Sequence, residues 1–187
     1  LHYMNPLVFS TLSIPIIFLF IGYTGYTSVG GTVFLSLIAA LVAALLLRLI
    51  IKNPVTVLAL LTGITALLLV IDCFTGSGLM LSSPLGSDAI AGGRYYGIGN
   101  DYMGVLIAST VIFSVLLSRK IPLNPLGRAL LSVLPLLLVS VAIGHPQYGA
   151  NVGGLITSVV TMGIFFLIIS EKKLNFKQFI AIGILAF

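Results

Sequence analysis

The chain has 187 residues, of which 59% are hydrophobic and only 7% are charged, and its formal net charge is +5. Soluble globular domains carry about 25% charged residues, so this composition and the mean hydropathy of +1.23 exclude that class of protein. The basic residues stand singly or in pairs between long apolar runs, so they form no patch for nucleic acid. Because Cys73 is the only cysteine, an intrachain disulfide is excluded.

Six apolar runs are long enough to cross a bilayer, since a helix needs about 20 apolar residues to span the roughly 30 Å hydrocarbon core. We predict helices over 6–23, 29–51, 55–74, 101–118, 128–144 and 152–170. A seventh run begins near residue 176 and stops at Phe187. The predicted fold is therefore all-α, a single polytopic transmembrane bundle of six complete helices and a truncated seventh. We expect residues 1–187 to be a fragment of a longer protein.

The basic residues sort into alternate breaks between these helices. Eight of the nine occupy the second, fourth and sixth breaks: Arg48, Lys52, Arg119, Lys120, Arg128, Lys172, Lys173 and Lys177. Because cytoplasmic loops are enriched in Lys and Arg, these breaks and the N-terminus are predicted to be cytoplasmic. The loops 24–28, 75–100 and 145–151 would then face outward from an inner (plasma) membrane.

The predicted outer loops are rich in Gly and Tyr. Two of them share a short pattern, which runs Tyr96-Gly97, Asn100, Gly104 in one and Tyr148-Gly149, Asn151, Gly154 in the other. Two helical hairpins of the same orientation could form a parallel repeat, although Gly- and Tyr-rich loops also recur by chance. The long loop 75–100 lacks apolar periodicity, and its stretch 82–87 is typical of a surface turn.

The segment from Gly92 to Asp101 is the strongest candidate for a binding site. Its glycines can expose backbone N–H groups, Arg94 offers a bidentate donor, and a helix begins at Asn100 or Asp101. Such groups together favour phosphate or carboxylate. The structural alternative is a packed turn in which Arg94 pairs with Asp88 or Asp101. If this loop meets the loop 145–151, we expect the substrate-binding residues to be Gly93, Arg94, Tyr95, Tyr96, Gly97, Gly99, Asn100, Gln147, Tyr148 and Asn151.

Three titratable residues near these loops are candidates for catalysis. Histidine titrates near neutral pH, which suits His145 to act as a general base, although a histidine at a helix end is more often a cap. Asp72 lies near a helix end inside the membrane region, where an ionisable group is costly, and pairing with Arg94 is the alternative. Asp101 falls in the first turn of a helix, where the helix dipole favours an anion regardless of function. No ligand spacing predicts a metal site, and no motif indicates a cofactor.

Three functions remain open on this reasoning. The first is a membrane enzyme or translocase that engages an anionic, lipid-linked envelope precursor at the outer leaflet. The second is a permease with a Gly-rich gate, although no predicted helix carries an ionisable residue near its middle, where ion-coupled transporters often place one. The third is a non-catalytic subunit whose loops bind a partner protein. The sequence does not indicate the oligomeric state.

Two strings in the chain resemble segments of uncharacterised bacterial polytopic membrane proteins. They are Gly93-Arg94-Tyr95-Tyr96-Gly97-Ile98-Gly99-Asn100 and Gly149-Ala150-Asn151-Val152-Gly153-Gly154. The resemblance covers the stretch from Asp72 to Gly154. It implies a protein of the bacterial inner membrane and implies no activity, cofactor or partner beyond the bilayer.

Overall fold

The computed structural model describes residues 4–24, 28–86, 96–171 and 184. The regular structure in this part of the chain is helical, as predicted. The described residues form one 3-10 turn, Gly22–Thr24, and seven α-helices: α1 Met4–Ile21, α2 Val29–Ile50, α3 Pro54–Phe74, α4 Gly78–Ser82, α5 Asn100–Ser118, α6 Pro125–Gly144 and α7 Val152–Ile169. All except α4 are long and apolar enough to cross a membrane. The chain is therefore a multi-pass membrane protein, and the predicted run beyond residue 176 lies outside the described residues.

The helix starts follow from local sequence. Pro54 and Pro125 open α3 and α6, where the missing proline N–H costs nothing because the first N–H groups of a helix lack intrahelical partners. Each proline follows an asparagine that caps the helix. The side-chain oxygen of Asn124 accepts the N–H of Gly127 at 2.7 Å. This cap places the start of α6 at Pro125, so the predicted start at residue 128 was late.

The core of the bundle consists of two hydrophobic clusters. The larger one joins α1, α3, α5 and α6 and includes the fully buried side chains of Leu19, Leu69, Leu106 and Ile143. The smaller one joins α1, α2 and α3 and consists of Phe9, Ala44, Val57 and Leu61. Helix α2 packs mainly against α1 and leaves most of its large apolar side chains exposed, as a lipid-facing helix does. The larger cluster lies towards the end of the bundle that carries the Gly-rich loops.

The segment 75–86 contains a structural element that sequence analysis did not predict. Helix α4 packs into the larger cluster through Met80, which is 2% exposed. The prediction that the stretch 82–87 is a surface turn is wrong for Ser83. This residue is buried and shares a hydrogen bond with the hydroxyl of Tyr102. This short helix has only five residues, so no periodicity could reveal it.

The Gly-rich loops lie together at one end of the bundle, here termed the Gly-rich end. The ring centroids of Phe74, at the end of α3, and Tyr148 are 4.6 Å apart. The 3-10 turn also packs closely against the end of α4. A Cβ added to Gly22 would lie 2.0 Å from the carbonyl oxygen of Ser82. The opposite end, termed the basic end, carries the loops 51–53 and 119–124.

Candidate functional site

The two Gly-rich loops meet through hydrogen bonds between their backbones and side chains. The N–H of Ile98 donates to the carbonyl oxygen of Gly149 at 2.9 Å. In return, the side-chain amide of Asn151 donates to the carbonyl oxygen of Ile98 at 3.0 Å and to the side-chain oxygen of Asn100 at 3.2 Å. These bonds place the N-termini of α5 and α7 side by side at the Gly-rich end.

Close backbone approach explains two of the glycines in this contact. Gly97 has φ +82°, a left-handed conformation, and a Cβ added there would lie 2.3 Å from the carbonyl oxygen of Gly149. A Cβ added to Gly149 would lie 2.3 Å from the carbonyl oxygen of Ile143. A side chain at residue 97 would push the two loops apart, and one at residue 149 would push its loop away from the end of α6, because backbone atoms cannot move aside as a flexible side chain can.

Asn151 holds the two loops together by hydrogen bonds to Ile98 and Asn100, an arrangement termed the clasp, and it also caps α7. Its side-chain oxygen accepts the N–H of Gly154 at 2.8 Å, while its amide makes the two bonds to the other loop. The side chain is only 2% exposed. Both ends of the amide are therefore engaged, and a ligand that bound Asn151 would have to displace one of these bonds.

Asp72 is buried and bound to the backbone of α4. One carboxylate oxygen accepts the N–H of Leu79 at 3.0 Å and the other accepts the N–H of Met80 at 2.8 Å. The residue is 3% exposed. These N–H groups belong to the first turn of α4 and lack intrahelical partners, so Asp72 acts as its cap from another helix. Its contacts are those of a structural residue, and the predicted catalytic role stays a prediction.

His145 is exposed at the end of α6 and its ring is held by two neighbours. Its Nδ1 atom accepts the backbone N–H of Gln147 at 3.2 Å, and its ring stacks on Tyr148 with centroids 4.6 Å apart. A ring nitrogen that accepts a hydrogen bond carries no proton, so the neutral ring holds its proton on Nε2. His145 thus presents an N–H donor to a ligand, because the basic nitrogen is occupied.

Of the remaining predicted site residues, some are described and differ in their exposure, and others lie outside the described residues. Tyr96, Asn100, Asp101 and Gln147 are exposed, whereas Gly99 is buried and provides an N-cap of α5 without a side-chain hydrogen bond. The predicted residues Gly93, Arg94 and Tyr95 lie outside the described residues. So does Asp88, the alternative partner of Arg94. Among the residues that the structure describes, no three His, Cys, Asp or Glu side chains come together.

Comparison of the chain with protein-family models, with curated protein sequences and with solved structures finds no match. The resemblance of the Gly-rich strings to bacterial membrane proteins therefore stays a prediction. The described residues define the class, a multi-pass α-helical membrane protein. Its particular feature is a pair of helix N-termini, those of α5 and α7, clasped together by Asn151.

Proposed function

We propose that this protein binds an anionic, lipid-linked precursor of the cell envelope at its Gly-rich end, as a transferase or a translocase. In this proposal the Gly-rich end faces outward from a bacterial inner membrane. The observation that carries the proposal is the clasp between Asn151 and Asn100, which holds two helix N-termini side by side.

The electrostatics of the clasped helices support an anionic ligand. Each helix N-terminus carries roughly half a positive charge on N–H groups without intrahelical partners. The N-cap of α5 is Gly99, which has no side chain and makes no cap hydrogen bond to the first-turn N–H groups. Two such ends held together favour an anion such as phosphate more than one end does. In this proposal Arg94 adds a full positive charge to the site.

The arrangement of His145 supports a binding role more strongly than a catalytic one. Its Nδ1 atom is occupied by the N–H of Gln147, so Nε2–H would donate to a phosphate or carboxylate oxygen. Among the three residues predicted to be catalytic, Asp72 is buried as a cap, whereas Asp101 has an exposed carboxylate. In the transferase version of the proposal, Asp101 is therefore the general base.

The position of the site also supports a ligand with a lipid anchor. The residues of the clasp lie at the ends of helices that are long enough to cross a membrane. Below the clasp, α6, which packs against both α5 and α7, exposes the apolar side chains of Leu137, Leu138 and Val141. A ligand could thus place an anionic headgroup at the clasp and an apolar chain in the surrounding bilayer. The ionisable residues of the described spans lie near their ends, at Arg48, Asp72, Asp101 and Arg128, which favours this proposal over an ion-coupled permease.

Binding of inorganic pyrophosphate to the protein in lipid nanodiscs tests the proposal. Calorimetric titration should detect binding to the unchanged chain, and Arg94→Lys should weaken it at least tenfold, since lysine keeps the charge but loses the bidentate fork. Arg119→Lys, at the basic end, is the matched control and should leave the affinity unchanged. Equal affinity of the unchanged chain and Arg94→Lys would overturn the role of Arg94 and with it the proposal.

A second titration separates a lipid-linked ligand from a free one. Polyprenyl diphosphate added to the nanodiscs should bind more tightly than pyrophosphate if the bilayer contributes to binding. Equal affinities would contradict the lipid-linked part of the proposal. Binding of neither compound would leave the permease or the subunit, which solute uptake into vesicles or a co-purified stoichiometric partner would then identify.

A further inference from the structure

A groove runs between α3 and α5 at the basic end of the bundle, far from the clasp. Its volume is about 190 Å³. It opens on the membrane-facing surface, where Leu60 is 40% exposed. The lining residues are Thr56, Ala59, Leu60, Phe113, Leu116, Leu117 and Lys120.

The groove is apolar along its length and has one charged end. Lys120 lies two residues after the end of α5 and is exposed. The other end lies at Phe113, whose ring packs over Gly63 so closely that an added Cβ would lie 2.8 Å from it. Phe113 and Lys120 are seven positions apart, which corresponds to about 10 Å along the helix axis. This length suits part of an acyl chain beneath a headgroup.

The charge around Lys120 favours an anionic occupant. Arg119 precedes it, and Lys52 lies four residues before Thr56, which lines the same mouth. The structure describes three acidic residues. Asp72 and Asp101 lie at the Gly-rich end, and Glu171, which follows α7 at the basic end, is outnumbered there by Arg48, Lys52, Arg119, Lys120 and Arg128. A second copy of the chain docked symmetrically in this groove would bring its own cations to the same place, so a lipid fits better.

We propose that this groove binds an anionic phospholipid, with its headgroup at Lys120 and one acyl chain along α3 and α5 as far as Phe113. Lys and Arg next to a membrane helix attract anionic lipids, and the apolar groove provides a surface on which one acyl chain can pack. The lipid belongs to the leaflet at the basic end, whichever side of the membrane that end faces. This site is independent of the proposed precursor site at the Gly-rich end.

Fluorescence quenching by brominated lipids tests the proposal. The chain contains no Trp, so Leu60→Trp creates a single fluorophore in the groove. The variant is placed in phosphatidylcholine vesicles that contain a brominated phospholipid, either phosphatidylglycerol or phosphatidylcholine. Half-maximal quenching should need roughly fivefold less of the anionic lipid, the ratio that one lysine at an anionic surface supplies.

A tryptophan at similar depth outside the groove provides the matched control. Leu130 is 53% exposed and lies five residues after the start of α6, as Leu60 lies six residues after the start of α3. In Leu130→Trp, the two brominated lipids should quench equally. Equal quenching of Leu60→Trp by both lipids would overturn the proposal. If neither lipid quenched the fluorescence, protein would cover the groove, which would also contradict the proposal.

A pair of neighbouring substitutions tests the role of Lys120 itself. Each is made in the Leu60→Trp background, and each removes one positive charge from an exposed position at the end of α5. Lys120→Gln should abolish the roughly fivefold preference for the anionic lipid, whereas Arg119→Gln should retain most of it. An equal loss in both variants would show general charge attraction without a site and would contradict the proposal.

Discussion

The side-chain amide of Asn151 donates a hydrogen bond to the side-chain oxygen of Asn100 at 3.2 Å, across 51 residues of sequence. The same amide donates to the carbonyl oxygen of Ile98, and its oxygen accepts the N–H of Gly154. One buried side chain therefore sets the spacing of two helix N-termini. If these N-termini bind an anion, Asn151 positions the site without having to touch the ligand.

Asn151→Asp should lower the free energy of unfolding by about 3 kcal/mol. Aspartate can still cap α7, but it cannot donate to Ile98 or Asn100, and it places a buried negative charge against two oxygens. Denaturation in mixed detergent micelles measures this loss.

Asn124→Asp is the matched control for that substitution. Asn124 caps α6 in the same way, by accepting the N–H of Gly127, but it is exposed. Aspartate is an equally good N-cap and suits the helix dipole, so the stability should change by less than about 0.5 kcal/mol. Equal losses at the two positions would contradict the assignment of Asn151 as a clasp between the loops.

Gly97→Ala should destabilise the protein by at least about 2 kcal/mol, because alanine is strained at a φ of +82° and its Cβ would meet the carbonyl oxygen of Gly149. Gly104→Ala provides the contrast. An added Cβ at Gly104, inside α5, meets nothing within 4 Å, so alanine should be neutral or stabilise by up to about 1 kcal/mol. The same denaturation experiment measures both, and a tolerated alanine at residue 97 would refute the close contact of the loops.

Asp72→Asn should release α4, since the asparagine side chain keeps one acceptor and turns an NH₂ group towards a backbone N–H. We expect a loss of about 1–2 kcal/mol and faster hydrogen exchange at Leu79 and Met80. Asp101→Asn, at an exposed position, should leave both unchanged. If Asp72→Asn instead kept its stability and exchange rates but abolished ligand turnover, Asp72 would be catalytic and not structural.

The membrane-spanning helices could be predicted from the sequence because a bilayer requires each of them to have a minimum length and an apolar composition. Five of the six predicted spans begin within two residues of the observed helices, and only α6 differs by more, through the cap at Asn124. Helix α4 was missed because its cap, Asp72, lies on another helix and depends on tertiary structure.

The candidate site was predictable only in part. The Gly- and Tyr-rich composition indicated which loops to compare, but not that Asn151 reaches Ile98, because a hydrogen bond over 53 residues leaves no local pattern. The tautomer of His145 likewise depends on the position of the Gln147 N–H relative to the ring, which residue identity alone does not specify.

The predicted orientation can be tested by cysteine labelling. The native Cys73 is buried, so it should not react, and single cysteines can be added at exposed Gln147, at the Gly-rich end, and exposed Leu123, at the basic end. In right-side-out membrane vesicles, an impermeant maleimide should label Gln147→Cys at once and Leu123→Cys only after the membrane is permeabilised. The reverse pattern would place the clasp in the cytoplasm and rule out an envelope precursor at the outer leaflet. The lipid groove at Lys120 is compatible with either orientation, because it depends only on a charged end and an apolar wall.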